Sequence, residues 1–432
     1  MMKTILIFLF LLMASRAFGQ VKAIKSFEEI WQSFSQKSSL IQAAREERES
    51  SSLAFDRANR HWLPKAYVSG QIFSSDDPGQ VFFNNLGQRS ITAADFNPTV
   101  LNNPEREVYQ TGTIGLQLPL YEGGSRVAQS SMMDLILQAR VLEIEARKTQ
   151  EYGELSRHYG YVVISSKAVT DLAHLKAELS KVMASYQVGA KSNPVGFSGL
   201  LGLKAVHNRI VGLNAKFLLE VQSKKDWIGK KAAIEGDWVP DLGATLHDYL
   251  DKNLPASTSN PNSSVLLANA MEVNALAKMK EVESARFLPQ VGLFAQHNVY
   301  SGARDFQGSQ TFGINVTWDL FNPDSYGRVA EAQAKHRASE AKIAAARQDE
   351  LIARQNLVAT KGVLDENLKL LSDTERLLEE QTANAMKLFR SGPISALQLS
   401  EVINRRVDLI ENKAAVENQY LEVMANIFEI YN

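Results

Sequence analysis

Two patterns of hydrophobic and polar residues alternate along the chain. Apolar side chains occupy every second position in residues 114–120 and again in residues 312–320, with small or polar residues between them. Strict alternation predicts strands with one apolar and one polar face. Shorter alternating runs follow Leu63-Pro64 and Leu288-Pro289. We therefore predict four strands, at about 64–73, 110–121, 289–299 and 310–321.

The spacing of apolar residues changes to three and four in residues 125–187 and 328–388. This spacing predicts helices, and neither segment contains proline. Helices of about 60 residues would be roughly 90 Å long, so coiled packing is expected. Glycine and proline follow each helix, which predicts turns at about 188–195 and 390–395. A further helix is expected after each turn, in 195–231 and 395–430.

The order of these elements occurs twice. Four short motifs of the first half reappear in the same order in the second half: Leu63-Pro64 and Leu288-Pro289, 113–121 and 313–321, Arg126-Val127-Ala128 and Arg328-Val329-Ala330, and Tyr186-x-x-Gly189 and Phe389-x-x-Gly392. Repeats of this kind indicate a duplicated unit. We expect a first repeat in 20–235, a linker with little regular structure in 236–262, and a second repeat in 263–432. Residues 74–108 and 301–309 are expected to be loops between the paired strands.

The beginning of the chain resembles a secretory signal. Lys3 precedes an apolar run from Ile5 to Met13, and small residues follow at Ala17 and Gly19. This arrangement predicts a signal peptide over residues 1–19. The net charge of −1 argues against a nucleic-acid partner, and the lack of cysteine excludes thiolate chemistry.

The four strands are too few to close a barrel in a membrane, because even small single-chain barrels have eight. Open strand edges are not tolerated in lipid, so copies of the chain would have to join. Polar side chains on one strand face would line the wet lumen; the candidates are Thr113, Gln117, Asn315, Thr317 and Asp319. Aromatic residues near the strand ends would lie at the membrane interface or in a protein core; these are Trp62, Tyr121, Trp318 and Phe321.

The chain resembles the TolC-like outer membrane efflux family. The resemblance includes the two Leu-Pro strand starts, the corner at Leu118-Pro119-Leu120-Tyr121-Glu122-Gly123-Gly124 and the two glycine-containing tips. It implies a mainly α fold with a small transmembrane β part: a homotrimer with a 12-stranded barrel continued by a periplasmic α-helical barrel. It also implies a passive exit duct in outer-membrane lipid that works with a periplasmic adaptor protein and an inner-membrane transporter.

The resemblance implies sites at the helical tips. Gln398 and Glu401 occupy the positions of a periplasmic gate, although an Asp would be usual at 398. The residues expected to dock the adaptor are Gly189, Ser192, Gly392 and Ser395. Glu401 as an ordinary solvated residue, and the glycines and serines as ordinary turn residues, are the alternatives.

No sequence motif indicates catalysis, a cofactor or a metal site. The seven histidines include no pair with the spacing of a zinc-binding helix. Two other functions are considered: a soluble periplasmic coiled-coil adaptor or scaffold, and a periplasmic enzyme with helical arms. The first predicts no exposed apolar strand face, and the second requires a polar catalytic cluster.

Overall fold

The computed structural model describes residues 23–185, 194–234, 238–241, 246–254 and 262–432. Their helices are α1 Phe27–Lys37, α2 Ser39–Asn59, α3 Pro78–Gly87, α4 Pro98–Asn102, α5 Ser125–Ser185, α6 Pro194–Ala232, α7 Leu246–Asn253, α8 Ser264–Ala285, α9 Arg328–Ser391 and α10 Ala396–Tyr431. The strands are β1 Ala23–Lys25, β2 Lys65–Ser75, β3 Glu107–Glu122, β4 Trp238–Pro240, β5 Gln290–Ser301 and β6 Phe306–Thr317. The expected mainly helical chain with a small β part is confirmed. Within the described ranges, no helix combines the length and the apolar character needed to cross a membrane. The expected signal peptide lies outside them.

The chain forms two compact units, and neither coincides with a sequence repeat. The helical unit consists of residues up to 45, 142–266 and 345–432, and the sheet unit consists of residues 46–141 and 267–344. Each repeat therefore contributes to both units, because its strand pair belongs to the sheet unit and its tip helices to the helical unit.

The sheet unit contains one four-stranded antiparallel sheet in the order β2-β3-β5-β6. The central pairing joins the two repeats, with Leu118 of β3 opposite Leu293 of β5. A bulge interrupts this pairing between Pro119 and Tyr121. Proline has no N–H to donate to a neighbouring strand, so a bulge is one of the few places in a sheet that accept it.

The segment between β2 and β3, predicted to be a loop over 74–108, contains regular secondary structure. It contains α3, α4 and a short 3-10 turn at Ala93–Phe96. Asp77 caps α3 and Asn97 caps α4, each followed by proline at the first helical turn. Proline is favoured there because the first helical N–H groups have no partner. The Asp-Pro and Asn-Pro pairs were the available sequence signal for these helices. The second expected loop is also shorter, because only residues 302–305 connect β5 to β6.

The helical unit is built on very long helices. α5 has 61 residues and α9 has 64, which correspond to roughly 90 and 96 Å at 1.5 Å per residue. One continuous apolar core includes side chains from both, and from α6 and α10: Leu172, Leu179, Leu203, Ile210, Leu371, Ile403 and Leu421 are examples. α6 begins at Pro194, in agreement with the preference of proline for a helix start.

The linker expected to be irregular contains secondary structure. Its strand β4 pairs in parallel with β1, and its helix α7 covers Leu246–Asn253. Tyr159 of α5 holds this region together, since its hydroxyl donates to the Lys25 carbonyl at 2.9 Å and accepts from the Asp241 N–H at 3.1 Å. Phe27 packs edge-on against Tyr152, Tyr159 and Tyr249. These contacts join segments far apart in sequence, so local pattern could not indicate them.

Candidate functional site

The four-stranded sheet has one apolar and one polar face. Register partners lie on the same face of a sheet, so Ile114 shares a face with its partners Val68 and His297. The apolar face carries Ala66, Val68, Ile72, Val108, Ile114, Leu116, Leu118, Leu293, Ala295, Val299, Phe312, Ile314 and Val316. The polar face carries Lys65, Tyr67, Ser69, Gln71, Thr111, Thr113, Gln117, Gln296, Asn298, Gln307, Ser309, Thr311, Asn315 and Thr317.

The apolar face is the more exposed of the two. Val68, Phe312 and Ile314 are 78%, 85% and 66% exposed. Most polar-face residues of β3, β5 and β6 are half-buried instead. A water-soluble protein normally buries its large contiguous apolar surfaces, so a patch of this size marks a surface for lipid or for another protein.

Side chains are crowded on the polar face. The Thr113 hydroxyl donates to the Asn298 Oδ1 at 2.8 Å, and the Tyr67 hydroxyl reaches the Gln296 Oε1 at 3.5 Å. Glycine provides room beside large side chains: a Cβ at Gly313 would lie 3.0 Å from the Phe294 ring. These cross-strand contacts bury part of the polar face within the chain itself.

The structure brings four of the five expected lumen residues onto this polar face: Thr113, Gln117, Asn315 and Thr317. Asp319 is the exception, because β6 ends at Thr317 and not at the expected 321. The chain leaves the sheet before Asp319, so strand alternation no longer determines the direction of its side chain. Asn298 was not among the expected residues, although extending the alternation of β5 by one further step would have included it.

The expected interface aromatics are all exposed in the chain: Trp62 65%, Tyr121 47%, Trp318 57% and Phe321 81%. Their packing in a protein core is therefore not observed. Trp318 donates its indole N–H to the Phe287 carbonyl at 3.1 Å. An apolar ring with one satisfied polar group suits the boundary between lipid and water.

The corner from β3 into α5 is fixed by glycine and by an ion pair. Gly123 and Gly124 have φ angles of 64° and 81°, a left-handed conformation that favours glycine. Arg126 pairs with Glu122 and donates to the His61 carbonyl at 3.2 Å. The motif that carried the family resemblance is thus a turn that directs the strand into the long helix.

The second helical tip is described, whereas the first, with Gly189 and Ser192, lies outside the described residues. Gly392 ends α9 with a φ of 94°. Ser395 caps α10: its hydroxyl accepts from the Gln398 N–H at 3.3 Å, and the Gln398 side chain accepts from the Ser395 N–H at 2.9 Å. Gln398 therefore has a structural role as part of a capping box.

Glu401 lies one turn further along α10. It forms an ion pair with Arg405 at 2.6 Å, and both side chains are exposed. The next exposed position of this helix, Asp408, pairs with Arg209 of α6 at 2.5 Å. The exposed stripe of α10 near the tip thus carries charges of both signs, so that the negative charge of Glu401 is balanced locally by Arg405.

Residues 237–431 match the family described as outer membrane efflux protein. No curated protein matches the chain significantly. Among solved structures, the channel CusC superimposes with a TM-score of 0.76 at 10% identity, covering 95% of this chain and 94% of that one. The CmeC outer membrane channel of Campylobacter jejuni gives 0.72 at 12% identity, with 93% and 84% covered. The MtrE outer membrane channel of Neisseria gonorrhoeae gives 0.71 at 12% identity, with 93% and 88% covered. The sequence match to this family thus covers somewhat less than half of the chain, whereas the similarity in fold to these outer membrane channels extends over almost its whole length.

Proposed function

We propose that this chain is the outer-membrane channel of an efflux or type I secretion assembly, and that three copies form one passive duct. The observation that carries this proposal is the exposed apolar face of the β2-β3-β5-β6 sheet. Lipid can cover such an apolar face, and the polar face then lines a water-filled lumen. Within the described chain, β2 and β6 each pair on one side only, so both edges are available for the strands of neighbouring copies.

Four strands from each of three copies give a 12-stranded barrel. The helical unit is then the periplasmic part of the protein. The exposed apolar sheet speaks against the alternative of a soluble periplasmic adaptor, because a soluble protein would cover it. The geometry favours conduction and selection by size and charge, and we propose no catalytic role and no cofactor.

We further propose that the helical tips meet a periplasmic adaptor and, through it, an inner-membrane transporter. Gly392 supports this proposal, since the space around its α-carbon is open. Ser395 lies beside it at the start of α10 and is exposed. A partner could approach the backbone closely at this point.

Cross-linking tests the assembly. The chain has no cysteine, so pairs of introduced cysteines, one on β2 and one on β6, report contacts between copies without background. Outer-membrane fractions should give oxidised dimers and trimers but no larger species. Matched variants with both cysteines on the central strand β3, at Thr111 and Gln117, should give none. A water-soluble monomer without cross-links for any β2–β6 pair would contradict the proposal.

A further inference from the structure

The segment between β2 and β3 covers one face of the sheet only. Tyr109 and its register partner Phe73 lie on the polar face, and Tyr109 is 0% exposed. Ile72, the neighbour of Phe73 on the apolar face, is 73% exposed. Residues 76–106, here named the cap, therefore fold over the polar face and leave the apolar face uncovered.

Close packing of α3 holds the cap against the β5–β6 hairpin. A Cβ at Gly87 would lie 2.7 Å from the ring of Tyr300, which is also a polar-face residue because its partner is Thr111. Gln88 is 0% exposed, and its Oε1 accepts from the Asp305 N–H at 3.0 Å. The cap is thus built into the sheet unit rather than displayed away from it.

An ion pair joins the far side of the cap to the same hairpin. Arg304 contacts the Asp95 carboxylate at 2.8 Å, with side-chain exposures of 32% and 11%. Asp95 also accepts from the Thr92 N–H at 2.7 Å and from the Thr92 hydroxyl at 2.9 Å. The hydrogen bond from the Thr92 N–H is the largest effect that holds the pKa of Asp95 below its usual range, and Arg304 adds to it. The carboxylate therefore stays charged in ordinary media.

We infer that the cap is a second constriction, folded over the outer end of the lumen and clasped by Asp95 and Arg304. This rests on the proposed function, because the polar face must line the duct. The cap lies at the strand ends remote from α5 and α9, which follow β3 and β6 at the other end. Permeation is therefore limited at the outer mouth of the duct.

Thiol labelling from outside intact cells tests the constriction independently of the inner tips. Thr111→Cys places a reporter at a half-buried position of the polar face, whose register partner Tyr300 packs against Gly87 of the cap. Gln80→Cys places one on the exposed first turn of α3. A bulky polymer-linked maleimide should label the Gln80 variant rapidly and the Thr111 variant slowly. Adding Asp95→Asn, Arg304→Gln or a cap deletion that replaces 78–104 with a short Gly-Ser linker should accelerate labelling at 111. We expect about tenfold, equivalent to about 1.4 kcal/mol of easier opening.

The exposed pair Arg106–Asp76 provides the matched control. It joins the same segment at 3.0 Å, with side-chain exposures of 68% and 57%, and Arg106→Gln should leave the labelling rate at 111 unchanged. Rapid bulky labelling at 111 behind an intact cap, or an unchanged rate after cap deletion, would overturn the constriction. A small charged thiol reagent that fails at 111 even after cap deletion would instead contradict the water-filled lumen, and with it the proposed function.

Discussion

The ring of Tyr67 lies directly against Gly115, its register partner across β2 and β3. A Cβ at position 115 would be 2.4 Å from the Tyr67 Cζ. This contact fills the polar face without leaving a gap between the strands. It also makes position 115 one of the places where the sheet accepts only glycine unless Tyr67 moves.

Replacing Gly115 with valine should destabilise the folded sheet by roughly 1–3 kcal/mol, the usual cost of forcing extra methyl groups into a packed site. Gly112 is the control on the same strand, because a Cβ there would meet only the Ser69 carbonyl oxygen at 3.8 Å. Gly112→Val should change stability by no more than about 0.5 kcal/mol. Thermal unfolding in detergent, followed by circular dichroism, compares the two. Equal melting temperatures would show that Tyr67 rotates away at little cost.

A charge on the apolar face should prevent stable insertion. Phe312→Arg places a cation on an 85% exposed side chain in the middle of β6, which costs about 2–4 kcal/mol near the bilayer midplane. Thr311→Arg is the control at the same depth on the polar face, and it should insert normally. The measurement is the amount of each variant in outer-membrane fractions. Loss of the Thr311 variant with retention of the Phe312 variant would reverse the assignment of the faces.

The charges near the tip should set ion preference. Glu401 and Arg405 balance each other, so Glu401→Gln should shift the preference towards anions and Arg405→Gln towards cations. Reversal potentials in planar bilayers under a salt gradient measure both. Asp408→Asn, one turn further along α10, should have a smaller effect. Unchanged selectivity in the Glu401 and Arg405 variants would contradict a role of this pair in gating.

Glu417 should make the stability of the helical unit depend on pH. Burial raises its pKa; Lys413 and Lys167 oppose this, whereas Glu375 and Asp171 add to it. The folded state therefore binds a proton more tightly than the unfolded state does. Stability should fall as pH rises from the usual glutamate range through the raised pKa, by up to about 1.4 kcal/mol per pH unit.

Glu417→Gln should remove this pH dependence and be more stable than the parent at pH above that window, since the neutral amide avoids the cost of a buried charge. Unfolding by urea at several pH values tests it. Glu411→Gln is the control on the same helix; Glu411 pairs with Lys216 at the surface, so its removal should cost no more than about 1 kcal/mol. If the free energy of unfolding of the parent protein does not change over this pH range, burial of the charged Glu417 side chain has no energetic cost.

The residue pattern alone predicts the four main strands, the long helices and the two faces of the sheet. Alternation at Ile114 and Leu116 marks a strand because side chains point to opposite sides at successive residues. The three- and four-residue spacing marks the long helices in the same way. Gly123, Gly124 and Gly392 mark turns because only glycine adopts their backbone conformation without strain.

The contacts between these elements, in contrast, emerge only from the folded chain. It paired β3 with β5 across the two repeats, placed β1 beside β4, and folded 76–106 over Tyr109. It also paired Asp95 with Arg304 and ended β6 before Asp319. Each of these depends on residues far apart in the chain whose contacts leave no periodic trace in the sequence. The period of the hydrophobic positions indicates which face of an element is apolar, whereas the partner of that face is selected by the packing of the whole unit.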